Sequence, residues 1–121
     1  DLLVFVDEID VVLGSNTLLN TDGLYKFINT GRHKNFSLIA TCRNTASVPK
    51  PLFGQADYLY VSTLVEKGAR DYIKATFDKY DILPDIDNLE TYEFLIVDMN
   101  KKDKEDALSI LKPDIKWLEL F

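Results

Sequence analysis

The stretch Leu2-Leu3-Val4-Phe5-Val6-Asp7-Glu8 joins five apolar residues directly to two acids, and its reading decides the fold. An unbroken, valine-containing apolar run bounded by acids suits a central strand buried on both faces, the habit of parallel sheets. The expected fold class is therefore α/β with a mostly parallel sheet. In such sheets ligands bind beyond the carboxyl ends of the strands, so Asp7 and Glu8 are expected at the ligand edge.

Working outward, Gly14-Ser15-Asn16-Thr17 is a turn cluster. Asn20-Thr21-Asp22 then offers capping groups for a helix whose apolar residues Leu24, Phe27 and Ile28 recur at helical spacing, with Gly31 as its stop. Phe36 to Cys42 reads as a second apolar strand, and Ser47-Val48-Pro49-Lys50-Pro51 interrupts it. A short helical turn around Leu52 to Gln55 precedes a third strand, Tyr58 to Ser62. Val65 to Phe77 carries Ala69, Tyr72, Ile73 and Phe77 on one stripe and charged residues elsewhere, an amphipathic helix. From Asp78 the composition changes. Tyr92 to Val97 reads as a strand, Asn100 to Asp106 as a polar turn and Ala107 to Leu111 as the returning strand of a β-hairpin. Ile115 to Phe121 reads as a strand or a short docking helix.

At 121 residues the chain fits one domain, and with 46% hydrophobic and 28% charged residues it can bury a core. Its longest strictly apolar runs, Leu2 to Val6 and Phe94 to Val97, are far short of a membrane span. The opening at Asp1 has no signal-peptide pattern and is expected to be a trimmed end of something longer. Cys42 is the single cysteine, so neither an internal disulfide nor a CxxC metal site is available, and a reduced, cytoplasmic protein is expected. Net charge is -6, with a marked distribution. Residues 78–98 hold seven acids and one lysine, whereas Gly23 to Ala56 holds Lys26, Arg32, Lys34, Arg43 and Lys50 and no acid. That basic span reads either as a local positive surface or as an ordinary solvated face.

Two acids ending a buried strand have a specific chemical use, the logic of a Walker B segment. The first can hold the water shell of a nucleotide-bound Mg²⁺, and the second can orient or deprotonate an attacking water. The alternative is a pair of solvated strand-end acids; Asp10 reads as a local capping or surface acid. Ala40-Thr41-Cys42-Arg43-Asn44 ends the second strand, and a parallel neighbour delivers those polar groups to the same edge, where a hydroxyl or guanidinium senses a terminal phosphate. The simpler reading is a polar strand exit. Cys42 reads as a small apolar residue. Arg32 and the lone histidine, His33, precede the second strand and so belong to the opposite edge, roughly 17 Å away for a five-residue strand. Arg32 is thus better placed to reach a neighbouring subunit's nucleotide than its own, as an arginine supplied in trans. His33 reads as exposed, and the scattered tyrosines 58, 60, 72, 80 and 92 as core rim rather than a stacking platform.

Taken in order, LLVFVDEID, GRHKNFSLIATCRN and VPKPLFGQADYLYV, followed by an amphipathic helix, resemble the C-terminal half of the ATPase core of the HerA/FtsK group of P-loop DNA-pumping motors, which includes viral and phage packaging ATPases. The resemblance covers residues 1–77; residues 78–121 then form a C-terminal extension of the same domain. It implies a partial RecA-like P-loop core from an ATP-hydrolysing motor that translocates or packages DNA, with ATP and Mg²⁺ as cofactors and a homo-oligomeric, hexameric ring as the assembly. By the resemblance Asp7 is the Mg²⁺-associated acid, Glu8 the catalytic base, Arg32 the arginine acting across a subunit boundary, and Thr41 and Arg43 the sensor end. Many members carry Gln at the position of Cys42. No GxxxxGKS or GxxxxGKT motif occurs, so the phosphate-cradling half is expected upstream of Asp1, and this chain alone is expected to be inactive.

Two other readings remain open. DEID and ATCR are also similar to AAA+ ATPases, which imply a helical lid after the core and an arginine near Phe53 to Asp57, where none stands. A noncatalytic binding or assembly module would keep the α/β scaffold and use its acids only to end strands.

Overall fold

The computed structural model describes residues 2–14, 26, 30–31, 34–48, 50–77, 79–114 and 116. The chain is α/β and divides into two compact units, Asp1–Pro49 and Lys50–Phe121.

In the first unit, strand β1 (Leu2–Val6) leads through the two acids into helix α1 (Ile9–Gly14); strand β2 (Phe36–Ala40) is followed by a 3₁₀ turn at Thr45–Ser47. The two strands run parallel with no offset, from Leu2 opposite Phe36 to Val6 opposite Ala40. Their carboxyl ends are therefore level. Residues beyond Val6 and beyond Ala40 emerge side by side at one edge, as expected of a parallel pair.

The expectation that β1 is buried on both faces is not met. Leu3 is 63% and Phe5 61% exposed, and Ile39, opposite Phe5, is exposed with them. Parallel pairing puts these three on one face of the ribbon. The apolar run marks a strand fit for burial, but burial also needs a covering layer, and no described element of the first unit brings one over this face. Among the described residues β2 is the single strand neighbour of β1.

The helix expected between the strands lies mostly outside the described residues, as does the turn at Ser15 to Thr17; Lys26, Thr30 and Gly31 are helical. Gly31 does not act as a left-handed helix stop, since no described glycine has a positive φ. Its reason is steric: a Cβ there would overlap the Phe36 ring. Glycine lets the incoming segment lie directly against the first residue of β2. Helix α1 has no counterpart among the expected elements.

The second unit runs α2 (Lys50–Gln55), β3 (Tyr58–Val61), α3 (Lys67–Thr76), α4 (Leu83–Asp87), β4 (Phe94–Asp98), α5 (Lys104–Ala107) and β5 (Leu108–Leu111). Its sheet has the order β3-β4-β5 and is antiparallel throughout. Parallel pairing is thus confined to β1 and β2 among the described strands. Strand β3, expected to continue the α/β order, pairs antiparallel with β4 after the chain has passed through α3 and the unanticipated α4. The terminal hairpin forms as expected, with α5 inside its polar connection. The expectation for Ile115 to Phe121 falls on residues of which Lys116 alone is described.

Strand alternation divides β3 and β4 into two faces, whereas on β5 Ile110, opposite Leu95, is exposed. Leu95 and Val97 point inward and are fully buried, while Tyr58, Tyr60 and Phe94 face outward and are exposed. Ala69 and Ile73 from α3, Ile86 from α4, and Phe53, Phe77, Tyr80 and Ile82 belong to the unit's buried set. Phe53 stands edge-on to Phe77 with ring centroids 5.5 Å apart, a favourable aromatic geometry. Tyr80 and Lys79 both donate to the Lys101 carbonyl, tying the segment before α4 to the hairpin connection. Among the tyrosines the core-rim reading holds for the half-buried Tyr72 and is exceeded by the buried Tyr80, whereas Tyr58, Tyr60 and Tyr92 are exposed.

Arg70 joins α3 to α4. Its guanidinium donates to Asp87 Oδ1 at 2.6 Å and Oδ2 at 3.0 Å, and to the Leu64 carbonyl at 3.1 Å. The bidentate bond holds the Asp87 carboxyl below its ordinary value of 3.8. A carboxylate with a lowered folded pKa adds stability above its ordinary value and loses it as pH falls through the lowered one. Asp87→Asn should therefore reduce the thermal midpoint at neutral pH, and the gap to wild type should close as pH falls below about 4. Thermal unfolding followed by circular dichroism across that range checks this; a gap that persists in acid would contradict it.

Candidate functional site

The level strand ends of β1 and β2 build the site. Thr41 N–H donates to the Val6 carbonyl at 3.0 Å, extending the strand pairing by one residue, and the Thr41 carbonyl accepts from Ile9 N–H at 2.8 Å. The side chain of Thr41 is thereby aimed at the acids. Its hydroxyl donates to Asp7 Oδ1 at 2.6 Å and accepts from Glu8 N–H at 2.9 Å. One hydroxyl thus ties the carboxylate of the first acid to the backbone of the second.

Glu8 has φ of 50°, in the left-handed region that a residue with a Cβ rarely adopts. Such a conformation costs on the order of 1–3 kcal/mol and persists where its surroundings over-determine it. Here the surroundings are explicit: the Thr41 hydroxyl takes the Glu8 N–H, and the Glu8 carbonyl accepts from Val11 N–H at 2.9 Å. The turn reverses the chain between β1 and α1 and carries the Glu8 side chain to Arg43, whose Nη2 lies 2.7 Å from Glu8 Oε1. Arg43 is 86% exposed and Glu8 35%, so this pair is worth at most about 1 kcal/mol.

Asp7, Glu8, Thr41 and Arg43, singled out in the sequence, therefore meet at one corner. Arg32 and His33 lie outside the described residues. Lys26 and Lys34 line an open depression with Leu2, Thr30 and Phe36, at the end of the strands opposite Asp7. Cys42 is half-buried, and burial, followed by the charge of Asp10, pushes its thiol pKa up. That agrees with a packing role rather than a reactive one.

Asp10 departs from its expected role as a capping or surface acid. It is 7% exposed, and its Oδ2 accepts from Asn44 N–H at 2.9 Å, while Oδ1 is buried without a hydrogen-bond partner. The adjoining Thr45 is buried as well, and its hydroxyl also lacks a partner. No local sequence signal marks the Asp10 bond, because its partner is a backbone amide 34 residues away.

What the corner can hold follows from its donors. Mg²⁺ binds through one or two carboxylates, keeping several waters and taking the rest of its shell from phosphate oxygens. Asp7, exposed and with its Oδ1 fixed by Thr41, fits that mode. No group of three or more His, Cys, Asp or Glu side chains suited to a metal gathers among the described residues, so an all-protein cage does not fit. A phosphate nest does not fit either: the sequence lacks the glycine-rich motif, and no described glycine has the positive φ often used in such nests. The corner thus offers one exposed carboxylate and a second acid beside it, without an all-protein metal cage or a glycine-rich phosphate nest among the described residues.

The fold is shared with part of a viral genome-packaging NTPase. The chain is similar to the crystal structure of B204, the DNA-packaging ATPase from Sulfolobus turreted icosahedral virus, with a TM-score of 0.76 and 20% identity over 93% of this chain and 52% of that one. It is likewise similar to B204 of Sulfolobus turreted icosahedral virus 2 in complex with ATP-gammaS, with a TM-score of 0.73 and 19% identity, and in complex with AMPPCP, with a TM-score of 0.76 and 20% identity; each match covers 93% of this chain and 52% of the other. The chain thus spans about half the length of these structures. No protein-family model and no curated protein matches the sequence. No described helix is long and apolar enough to cross a membrane.

If the Thr41 hydroxyl is what ties the corner together, Thr41→Val should destabilise the protein by about 1–2 kcal/mol, while Thr41→Ser, which keeps the hydroxyl, should recover most of that. Denaturant unfolding of the two variants checks this. A loss in Thr41→Ser with none in Thr41→Val would show that the methyl group, not the hydroxyl, matters.

Proposed function

We propose that this chain is the Walker B and sensor portion of a longer ATP-hydrolysing motor that moves or packages DNA. The observation that carries the reading is the Asp7–Thr41–Glu8 corner. Two consecutive acids leave one parallel strand, and one hydroxyl at the end of its neighbour donates to the Asp7 carboxylate and accepts from the Glu8 backbone N–H. Solvated strand-end acids have no need of that arrangement. Further support comes from the fold, shared over nearly the whole chain with part of a viral packaging NTPase.

In this reading Asp7 holds the metal's water shell, and Glu8 aligns the attacking water and accepts its proton. Thr41 keeps both acids in register, and Arg43 meets the terminal phosphate. Mg²⁺, when bound, neutralises charge developing on the phosphoryl oxygens. Arg32, ahead of β2, serves the nucleotide of an adjacent subunit in a homo-oligomeric ring, six-membered by the resemblance. Lys26 and Lys34, which share a depression, support contact with DNA phosphates. The phosphate-cradling half belongs to a part of the protein other than these residues, which agrees with the 52% span of the matched structure. The lone half-buried Cys42 suits a reducing, cytoplasmic setting. Against an AAA+ assignment stands the region after the core, where β4 and β5 pair antiparallel in place of a helical lid.

ATP hydrolysis by the full-length protein tests the reading against a noncatalytic module. Glu8→Gln keeps the shape but removes the base, and should lower kcat by roughly 10²- to 10⁴-fold with nucleotide binding retained. Hydrolysis at the wild-type rate in that variant would remove the catalytic assignment.

A further inference from the structure

We infer that Asp10, which the mechanism above does not use, is a positioning residue for Arg43. The inference rests on the proposed hydrolytic reading for its consequence in catalysis, though not for its geometry. Arg43 is highly exposed, and a single ion pair to Glu8 is its one described side-chain contact. An exposed pair of that kind is too weak to hold a long side chain in one place, so the location of the guanidinium is governed by the backbone that carries it. That backbone is fixed on both flanks. Two residues before Arg43, Thr41 is held through its N–H, carbonyl and hydroxyl. One residue after it, the Asn44 N–H is held by Asp10 Oδ2 at 2.9 Å.

The two anchors are unequal. The Thr41 side is a continuation of strand pairing and would survive most substitutions nearby. On the other side the Asp10 bond joins α1 to the segment leaving β2, and it comes from a buried carboxylate whose second oxygen has no partner. A buried acid with one unmatched oxygen is a poor choice for stability, since an apolar residue would avoid desolvating the charge. Its placement makes sense as a fixed acceptor for the Asn44 amide. Asn44 in turn accepts from Ala46 N–H through its side chain, starting the 3₁₀ turn that packs against α1. Asp10 therefore sets where the chain turns after Arg43, and so how far the guanidinium can reach toward Glu8 and a phosphate.

The test compares Asp10→Ala, Asp10→Asn, Arg43→Ala and the Asp10→Ala/Arg43→Ala double variant in the full-length protein. Asp10→Ala should lower kcat for ATP by roughly 10- to 100-fold with KM little changed, and Asp10→Asn, whose amide oxygen still accepts, should restore most of it. In the Arg43→Ala background Asp10→Ala should cost nothing further, because the residue it positions is gone. An equal fold-loss in both backgrounds would overturn the proposal in favour of general destabilisation. Hydrogen-deuterium exchange gives a readout independent of activity: Asp10→Ala should speed exchange over residues 42–45 while β1 and β2 keep wild-type protection. If the full-length wild type hydrolyses no ATP, the hydrolytic reading fails by itself; localised exchange at 42–45 still supports the tether, and unchanged or global exchange overturns it.

Discussion

The parallel, unshifted pairing of β1 with β2 is the constraint on which the site depends. With Val6 level with Ala40, the next residue of each strand arrives at the same edge, and the Thr41 hydroxyl falls between the Asp7 carboxylate and the Glu8 amide. Side chains alternate along a strand, so a slip of one residue would turn Thr41 to the other face and present Cys42 to the acids instead. Cys42 has only a weak hydrogen-bonding sulfur to offer in place of a hydroxyl. The spatial relation between the two acids and the end of β2 is a matter of register before it is one of side-chain chemistry.

Around that register the local structure concedes stability. Glu8 occupies a backbone region that glycine would adopt at less cost, and Asp10 is a carboxylate inside a protein interior. Both sit within four residues of the end of β1, and both make their long-range hydrogen bonds to residues 41–44. Asn35 and Tyr92 also adopt positive φ and Glu93 is also buried, but at this corner the left-handed residue and the buried carboxylate are both tied to the same neighbouring strand end, as the proposed site requires. The exposed face of Leu3, Phe5 and Ile39 has a different character, being apolar surface on a strand whose composition is that of an interior one.

Much of this was legible in the sequence because it rests on short-range pattern. The apolar run before Asp7-Glu8, the run before Thr41 and the stripe of α3 each announce an element within its own window, and the hairpin of β4 and β5 shows in alternation around a polar turn. The meeting of Asp7, Glu8, Thr41 and Arg43 followed from one topological assumption, parallel neighbours, and that assumption holds for β1 and β2. It does not extend to β3, whose antiparallel partner is set by how the chain returns through α3 and α4 rather than by the residues of the strand. Burial of β1 was misread because an apolar strand states a requirement for cover without stating what supplies it. Asp10 was misread since its partner is a main-chain amide, which carries no residue-type signature; the left-handed turn at Glu8 is equally silent, glutamate being an unusual residue there. Arg32 and His33 fall outside the described residues.

The most direct test of the central claim is a crystal structure of the full-length protein with Mg²⁺ and a non-hydrolysable ATP analogue. The account predicts the metal's water shell against Asp7, with the Glu8 carboxylate and the Arg43 guanidinium facing the terminal phosphate and the Thr41 hydroxyl still bridging the two acids. A nucleotide bound away from this strand edge, with Asp7 and Glu8 in open solvent, would contradict it.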